Sequence, residues 1–179
     1  RVDTVIPYFR RWMEAFPDLH ALAVADRSDV LRLWEGLGYY SRARNLHDAA
    51  KWLAEHEGGR FPTDPDKVGA LKGVGPYTRA AICSIAFGHD LAAVDGNVIR
   101  VLARWFHLED DTRRPATVAR IRELAQMILP SGRAGDFNQA LMELGATVCT
   151  PRKPDCPACP VSTRCMARRL ASTDRIPYK

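Results

Sequence analysis

Apolar residues recur at intervals of three and four along almost the whole chain, a period that fits helices and little else. Val2, Val5, Ile6, Phe9, Trp12 and Met13 form the first series. A second runs from Asp29 to Leu37, with Ser28 as its candidate N-cap. A third runs from Arg42 to Glu57 after Ser41, with Leu46, Ala49, Ala50 and Leu53 on one face and Gly58 and Gly59 as its stop. Pro62 and Pro65 mark a loop before a shorter helix over Asp66 to Leu71. Two more helices are expected near Ala116–Leu129 and Phe137–Val148. No stretch alternates convincingly as a strand would. The expected fold is all-α: two helical lobes with a helix-hairpin-helix at about 66–88 between them. A chain of 179 residues, 46% hydrophobic, is long enough and apolar enough for such a core. The expected organisation is a helical core over 1–148, a cysteine loop over 149–165 and a tail over 166–179.

The hairpin is the segment LKGVGPYTRAAICSIAFG, residues 71–88. Gly73, Val74 and Gly75 make its turn, Pro76 suits the first turn of the second helix, and Gly88 suits that helix's end. Such a turn gathers backbone N–H groups at the positive end of a helix, where they can bind a phosphate. Glycine permits the close approach that a side chain would block. A plain helix–helix turn also favours glycine, so the motif alone leaves both readings open. Beyond it, a short apolar run at 91–94 leads into Asp95-Gly96-Asn97 and another helix, for which Asp95 is the natural N-cap.

Of five cysteines, four crowd into residues 149–165. Cys149, Cys156, Cys159 and Cys165 stand in a C-x6-C-x2-C-x5-C array, and Pro151, Pro154, Pro157 and Pro160 keep that segment from becoming helical. A secreted disulfide scaffold would spread its cysteines, so the clustering points to a metal site in a reducing compartment. Four thiolates suit an iron–sulfur cluster or a closed structural zinc site, and the spacing alone does not choose between them. Cys83, on an apolar helix face, reads as a buried small residue.

Lys and Arg total 26 against 21 Asp and Glu, a net charge of +5. That excess fits either solubility or a polyanionic partner. No run of about 18 or more apolar residues offers a membrane span. The opening RVDTVIPYFRRW is no signal peptide; it starts inside an apolar pattern and reads as a chain cut into an element.

Together, the glycine hairpin, the following Asp95 and the cysteine array resemble, in the same order, the endonuclease III superfamily of base-excision glycosylases, over essentially all 179 residues. Within it, WEGLGYYSRARNLHDAA at 34–50, VDGNVIRVLAR at 94–104 and FNQALMELGATVC at 137–149 resemble the MutY-type adenine glycosylases. The resemblance implies a [4Fe–4S] cluster on Cys149, Cys156, Cys159 and Cys165, with zinc as the alternative. It implies a monomer acting on mismatched double-stranded DNA in the cytoplasm, or in the nucleus or mitochondrion of a eukaryote, with no membrane partner. The lyase branch carries a lysine nucleophile two residues beyond the second hairpin glycine. Tyr77 stands there and cannot form a Schiff base, which implies hydrolysis of the glycosidic bond alone.

The implied reaction removes adenine mispaired with 8-oxoguanine after the base leaves the stack. Asp95 matches the carboxylate that stabilises positive charge on the sugar. Asn97 and Tyr77 match positions that support Asp95 and the sugar, although capping or packing would equally explain them. Tyr39 matches a tyrosine that wedges into the duplex, although core packing would also account for Tyr39 and Tyr40. Gln139 matches a residue lining the adenine pocket. The family's general acid is a glutamate a few residues before the segment matching Arg1, and neither Glu14 nor Glu35 fits that motif. The 179 residues by themselves are therefore expected to bind DNA and to excise adenine poorly. Family members also continue past the segment matching TDRIPYK into a Nudix-like domain. A thymine-mismatch glycosylase of the same superfamily is the nearest alternative, and a non-catalytic DNA-binding module with a structural cluster is the other.

Overall fold

The chain is helical along most of its length in a computed structural model that describes residues 2–178; Arg1, Lys179 and the side chain of Val2, the first of the apolar series, lie outside the described residues. No strand occurs among the described residues, as the helical period requires. No described helix is long and apolar enough to cross a membrane. The chain divides into two compact units, Arg1–Val74 and Gly75–Lys179, so the boundary falls inside the glycine hairpin.

The first unit contains α1 (Val2–Ala15), α2 (Leu19–Val24), α3 (Arg27–Leu33), α4 (Tyr40–His56) and α5 (Pro65–Ala70). Asp18 caps α2 by accepting from the Ala21 N–H at 2.8 Å, and Asp64 caps α5 with Pro65 at its first position. The second apolar series starts earlier than expected. Asp26 is the N-cap of α3, Ser28 lies within the helix, and the helix closes at Leu33. Gly36 and Gly38 then take left-handed backbone, at φ of 92° and 70°, which the helix cannot continue through. α2 and α3 both pack on α4. Trp12 meets Phe16 and Trp34 edge-on at 5.0 and 5.4 Å, joining α1 to this core. On α4, Ala49, Ala50 and Leu53 are buried as expected, but Leu46 is 43% exposed. Ala43 and His47 take the inner face instead, with His47 Nε2 3.1 Å from the Ala25 carbonyl oxygen. After α4, Gly58 and Gly59 adopt positive φ and the Gly59 N–H returns to the Leu53 carbonyl, closing the helix.

The second unit contains α6 (Pro76–Phe87), α7 (Gly96–Trp105), α8 (Pro115–Met127), α9 (Ala134–Glu143) and α10 (Met166–Arg169). α6 begins on Pro76 and ends on Gly88 at φ 72°, as the sequence suggests. Its core runs along α7, where Val98, Val101, Leu102 and Ala103 are buried against Leu108, Ile121, Ala125, Leu141 and Ala167. Cys83 is fully buried. α6 and α9 approach closely at Gly135, where a Cβ would stand 2.8 Å from the Ser84 carbonyl oxygen. The series expected over Phe137–Val148 is α9 followed by a π-helical turn, Leu144–Val148, closed by the Cys149 N–H on the Leu144 carbonyl at 2.7 Å. That wider turn delivers the first cysteine of the array. The proline-rich segment after it stays irregular up to a 3₁₀ turn at Ser162–Arg164.

Candidate active site and metal centre

Asp95 is the N-cap of α7, with extended backbone at φ −102° and ψ −175°. One carboxylate oxygen, Oδ1, accepts from the Val98 N–H at 2.8 Å. The other, Oδ2, accepts from Asn97 Nδ2 at 3.1 Å. Asp95 is thus a cap that is also hydrogen-bonded to Asn97. Asp95 is half-buried, so its carboxylate is fixed at the positive end of a helix without being sealed from solvent.

The bonds continue along the helix. Asn97 Oδ1 accepts from Arg100 Nη2 at 2.8 Å, and Arg100 also donates to the carbonyls of Cys149 and Gly145, at 2.8 and 2.7 Å. Burial lowers the Arg100 pKa from its ordinary value, while the Cys149 sulfur and Asp95 act the other way. Four residues on, and so on the same face of α7, Arg104 is only 2% exposed. It donates to the Ile176 carbonyl at 2.8 Å, Thr150 at 2.7 Å and Pro151 at 3.2 Å, and to Cys149 Sγ at 3.4 Å. One helix therefore carries the carboxylate at its start and, one and two turns on, two guanidinium groups that bind the backbone where the cysteine array begins.

The approach of α7 to the π-helical turn depends on Gly145. A Cβ there would lie 2.7 Å from Asn97 Cβ and 3.0 Å from the Asn97 carbonyl oxygen, with little room for backbone to give. Gly145→Ala is expected to destabilise the fold by about 1–3 kcal/mol through this overlap, seen as a lower melting temperature in thermal unfolding. An unchanged melting temperature would mean that the turn can move away from α7.

Cys149, Cys156, Cys159 and Cys165 all line one small cavity of about 20 Å³, together with Arg104 and Arg168. Burial pushes the Cys159 thiol up, and the three neighbouring sulfurs push it the same way. Among the described residues no three His, Cys, Asp or Glu side chains stand close enough to hold a single metal ion.

The remaining expected residues are placed as follows. Gly73 takes left-handed backbone at φ 82°, and a Cβ there would stand 2.6 Å from Asn45 Cβ, so glycine is required twice over. Val74 is half-buried and its N–H bonds the Leu71 carbonyl at 3.0 Å. Gly75 is the N-cap of α6, with open space where its side chain would be and no side-chain cap on the first turn. Tyr77 is 41% exposed, and its hydroxyl lies 3.4 Å from Met142 Sδ. Tyr39 does not pack in the core: it is 81% exposed, on left-handed backbone at φ 47°. Tyr40 is 40% exposed. Gln139 lies on the exposed side of α9, donating back to the Gly135 carbonyl at 3.1 Å, with no hydrogen bond to Asp95 or Asn97 among the described residues. Sequence reasoning missed Arg100 and Arg104. Arg104 follows Val101 by three positions and so falls beside an apolar helix face, the one local sign of a buried cation.

Comparison with known proteins agrees with this picture. Residues 1–126 match the family model described as HhH-GPD superfamily base excision DNA repair protein. A protein of Rattus norvegicus named adenine DNA glycosylase is 46% identical over 177 residues, covering 98% of this chain and 34% of its own length. The chain spans about a third of the length of the mammalian relatives it matches. Among solved structures, a thermostable thymine-DNA glycosylase superposes with a TM-score of 0.83 at 30% identity, over 93% of this chain and 76% of that one. A non-covalent endonuclease III–DNA complex gives a TM-score of 0.79 at 25% identity, over 94% of this chain and 78% of that one. The family model spans well over half of the sequence, and the chain belongs to the HhH-GPD superfamily of base excision DNA repair proteins.

Proposed function

We propose that this chain provides the helical core of an adenine DNA glycosylase that hydrolyses the N-glycosidic bond of adenine opposite 8-oxoguanine or guanine in double-stranded DNA. The observation that carries the proposal is the Asp95 carboxylate, fixed by the Val98 N–H and Asn97 at the start of α7. Breaking the bond between adenine and deoxyribose builds positive charge on the sugar. A carboxylate already oriented beside that charge stabilises it without reorganising during the reaction. Asn97 keeps one oxygen oriented, and Tyr77 stands on α6 as the second supporting residue.

Gly73, Val74 and Gly75, with the uncapped first turn of α6, serve as the backbone anion site for a DNA phosphate. Tyr39, held out on strained backbone, serves as the wedge that replaces stacking when the base leaves the duplex. Gln139, exposed on α9, is assigned to the adenine pocket. The protein acts as a monomer. Adenine is favoured over thymine by the 46% identity to a relative named for adenine, against 30% to the thymine-DNA glycosylase structure.

Cys149, Cys156, Cys159 and Cys165 would hold a [4Fe–4S] cluster. All four cysteines line one cavity, which supports a four-thiolate centre, and the resemblance of the array to that of the endonuclease III superfamily favours the cluster over zinc. When bound, the cluster cross-links a segment otherwise poor in regular structure and brings a redox-capable centre. Arg104 supplies the nearby positive charge for four thiolates, and Arg100 ties the same backbone to Asn97 and thence Asp95.

The native protein that contains these 179 residues, incubated with a duplex carrying adenine opposite 8-oxoguanine, is expected to release free adenine and leave the strand unbroken until alkali is added. Tyr77 offers no amine for a Schiff base, so strand scission without alkali, or a covalent adduct trapped by borohydride, would contradict the hydrolytic assignment.

A further inference from the structure

The segment just before Asp95 has no regular structure, yet it is not loose. Residues 89–95 lie outside any helix, while Ala93 and Val94 are 1% and 7% exposed. Buried backbone groups require partners, and no neighbouring strand supplies them among the described residues. Two side-chain amides do so instead. Asn138 of α9, 1% exposed, accepts from the Ala93 N–H through Oδ1 at 3.0 Å and donates through Nδ2 to the Leu91 carbonyl at 2.8 Å. The same Nδ2 donates to Ser84 Oγ at 2.9 Å, tying the amide to α6. Gln126 of α8 accepts from the Ala92 N–H at 3.0 Å and donates to the Asp90 carbonyl at 2.9 Å.

The two sets are in register. Each amide spans a carbonyl and the N–H two residues further on, one using 91 and 93, the other 90 and 92. Asn138 and Gln126 thus hold overlapping stretches of the same segment, each through one carbonyl and one N–H. The Asp90 carboxylate anchors the near end, accepting from Ser131 Oγ at 2.7 Å and the Gly132 N–H at 2.9 Å. These bonds pull the Asp90 pKa below the ordinary carboxylate value. The far end is Asp95, two residues beyond the last gripped N–H.

We infer that Asn138 and Gln126 form an amide clamp that positions the Asp95 carboxylate for glycosidic bond cleavage. The inference rests on the catalytic reading of Asp95 given above. Neither amide meets the reacting atoms in this account; both are positioning residues that act through the 90–95 backbone. A displacement of about 1 Å at a reacting group can cost about a hundredfold in rate, so a clamp two residues away has leverage.

The test uses the native protein that contains these 179 residues, with its cluster, measuring single-turnover adenine release, affinity for the same duplex and cluster absorbance. Asn138→Asp keeps an acceptor for Ala93 but turns a carboxylate oxygen on the Leu91 carbonyl, and its single-turnover rate is expected to fall about a hundredfold. Gln126→Met is an exposed change of similar length that leaves the core untouched, and its rate is expected to fall several-fold, by about three- to tenfold. DNA affinity and cluster absorbance should stay within about twofold of wild type in both, a separation of rate from binding that general unfolding would not give. Either change added to Asp95→Asn should slow the reaction no further. If Asn138→Asp does not fold, Gln126→Met decides. Wild-type rates in Gln126→Met and in any folded Asn138 variant, with Asp95→Asn inactive, would overturn the clamp and leave the catalytic reading standing. Losses of rate matched by equal losses of affinity would also overturn it. Wild-type excision by Asp95→Asn would instead remove the catalytic reading itself.

Discussion

Asp95→Asn is expected to slow single-turnover adenine release by about 10²- to 10³-fold or more while leaving the fold and DNA affinity near wild type. The substitution separates the capping role of Asp95 from the catalytic role proposed for the same side chain. As an N-cap, asparagine is as good as aspartate, so an acceptor for the Val98 N–H remains and α7 keeps its start. What disappears is the negative charge. The neutral amide cannot offset the positive charge that develops on the sugar, and about 1.4 kcal/mol of transition-state stabilisation is lost for each tenfold in rate. A melting temperature and a Kd close to wild type, with a rate reduced a hundredfold or more, is the expected pattern. A rate within a few-fold of wild type would mean that Asp95 is a cap and no more.

The second large effect is expected at Arg104. Its guanidinium is 2% exposed and serves the carbonyls of Thr150, Pro151 and Ile176 as well as the Cys149 sulfur. Arg104→Met fills much of the same volume but withdraws every donor. A carbonyl left buried without a partner costs about 1–3 kcal/mol, and Ile176 is the buried residue of the three, so the loss is expected to be about 1–3 kcal/mol. The loss falls on the two ends of the cysteine segment, since Thr150 and Pro151 precede the array's interior and Ile176 follows its last cysteine. Purified variant should therefore melt earlier and carry less than the full complement of iron and sulfide, with weaker visible absorbance. A variant with wild-type melting temperature and iron content would show that water replaces the guanidinium without penalty.

What could be read from the residues alone was whatever local chemistry decides. Pro65, Pro76 and Pro115 each begin a helix because a missing N–H is harmless there. Gly88 ends one because the left-handed backbone it adopts is strained for other residues. Asp95 caps α7 because its side chain reaches the Val98 N–H within one turn. The four cysteines converge because prolines keep the segment between them from becoming a helix. Where tertiary packing decides, local signals mislead. Ser28 is as good a cap as Asp26, yet α3 starts at the earlier residue. Leu46 belongs to the apolar series of α4 by spacing, but the helix turns Ala43 and His47 inward because α2 and α3 pack on that side. Tyr39 and Tyr40 could each have been core by type, and exposure separates them from it.

The site divides in the same way. Asp95, Asn97 and the cysteines lie in short motifs whose spacing suggests the chemistry proposed for them. Arg100, Arg104, Asn138 and Gln126 act on backbone groups between 34 and 72 residues away in sequence. No local pattern predicts which carbonyl a buried guanidinium or amide will meet. A buried Asn or Arg is a common sight in a helix series, and only the fold gives it a task.

The most direct test of the central claim is a comparison of single-turnover rates for base release by the native protein that contains these 179 residues from two duplexes, one with adenine opposite 8-oxoguanine and one with thymine opposite guanine. Adenine release at a rate at least about a hundredfold above thymine release, a gap of about 2.7 kcal/mol, is the expected result. Thymine release that equals or exceeds adenine release, or no release of either base by cluster-loaded protein bound to the duplex, would contradict it.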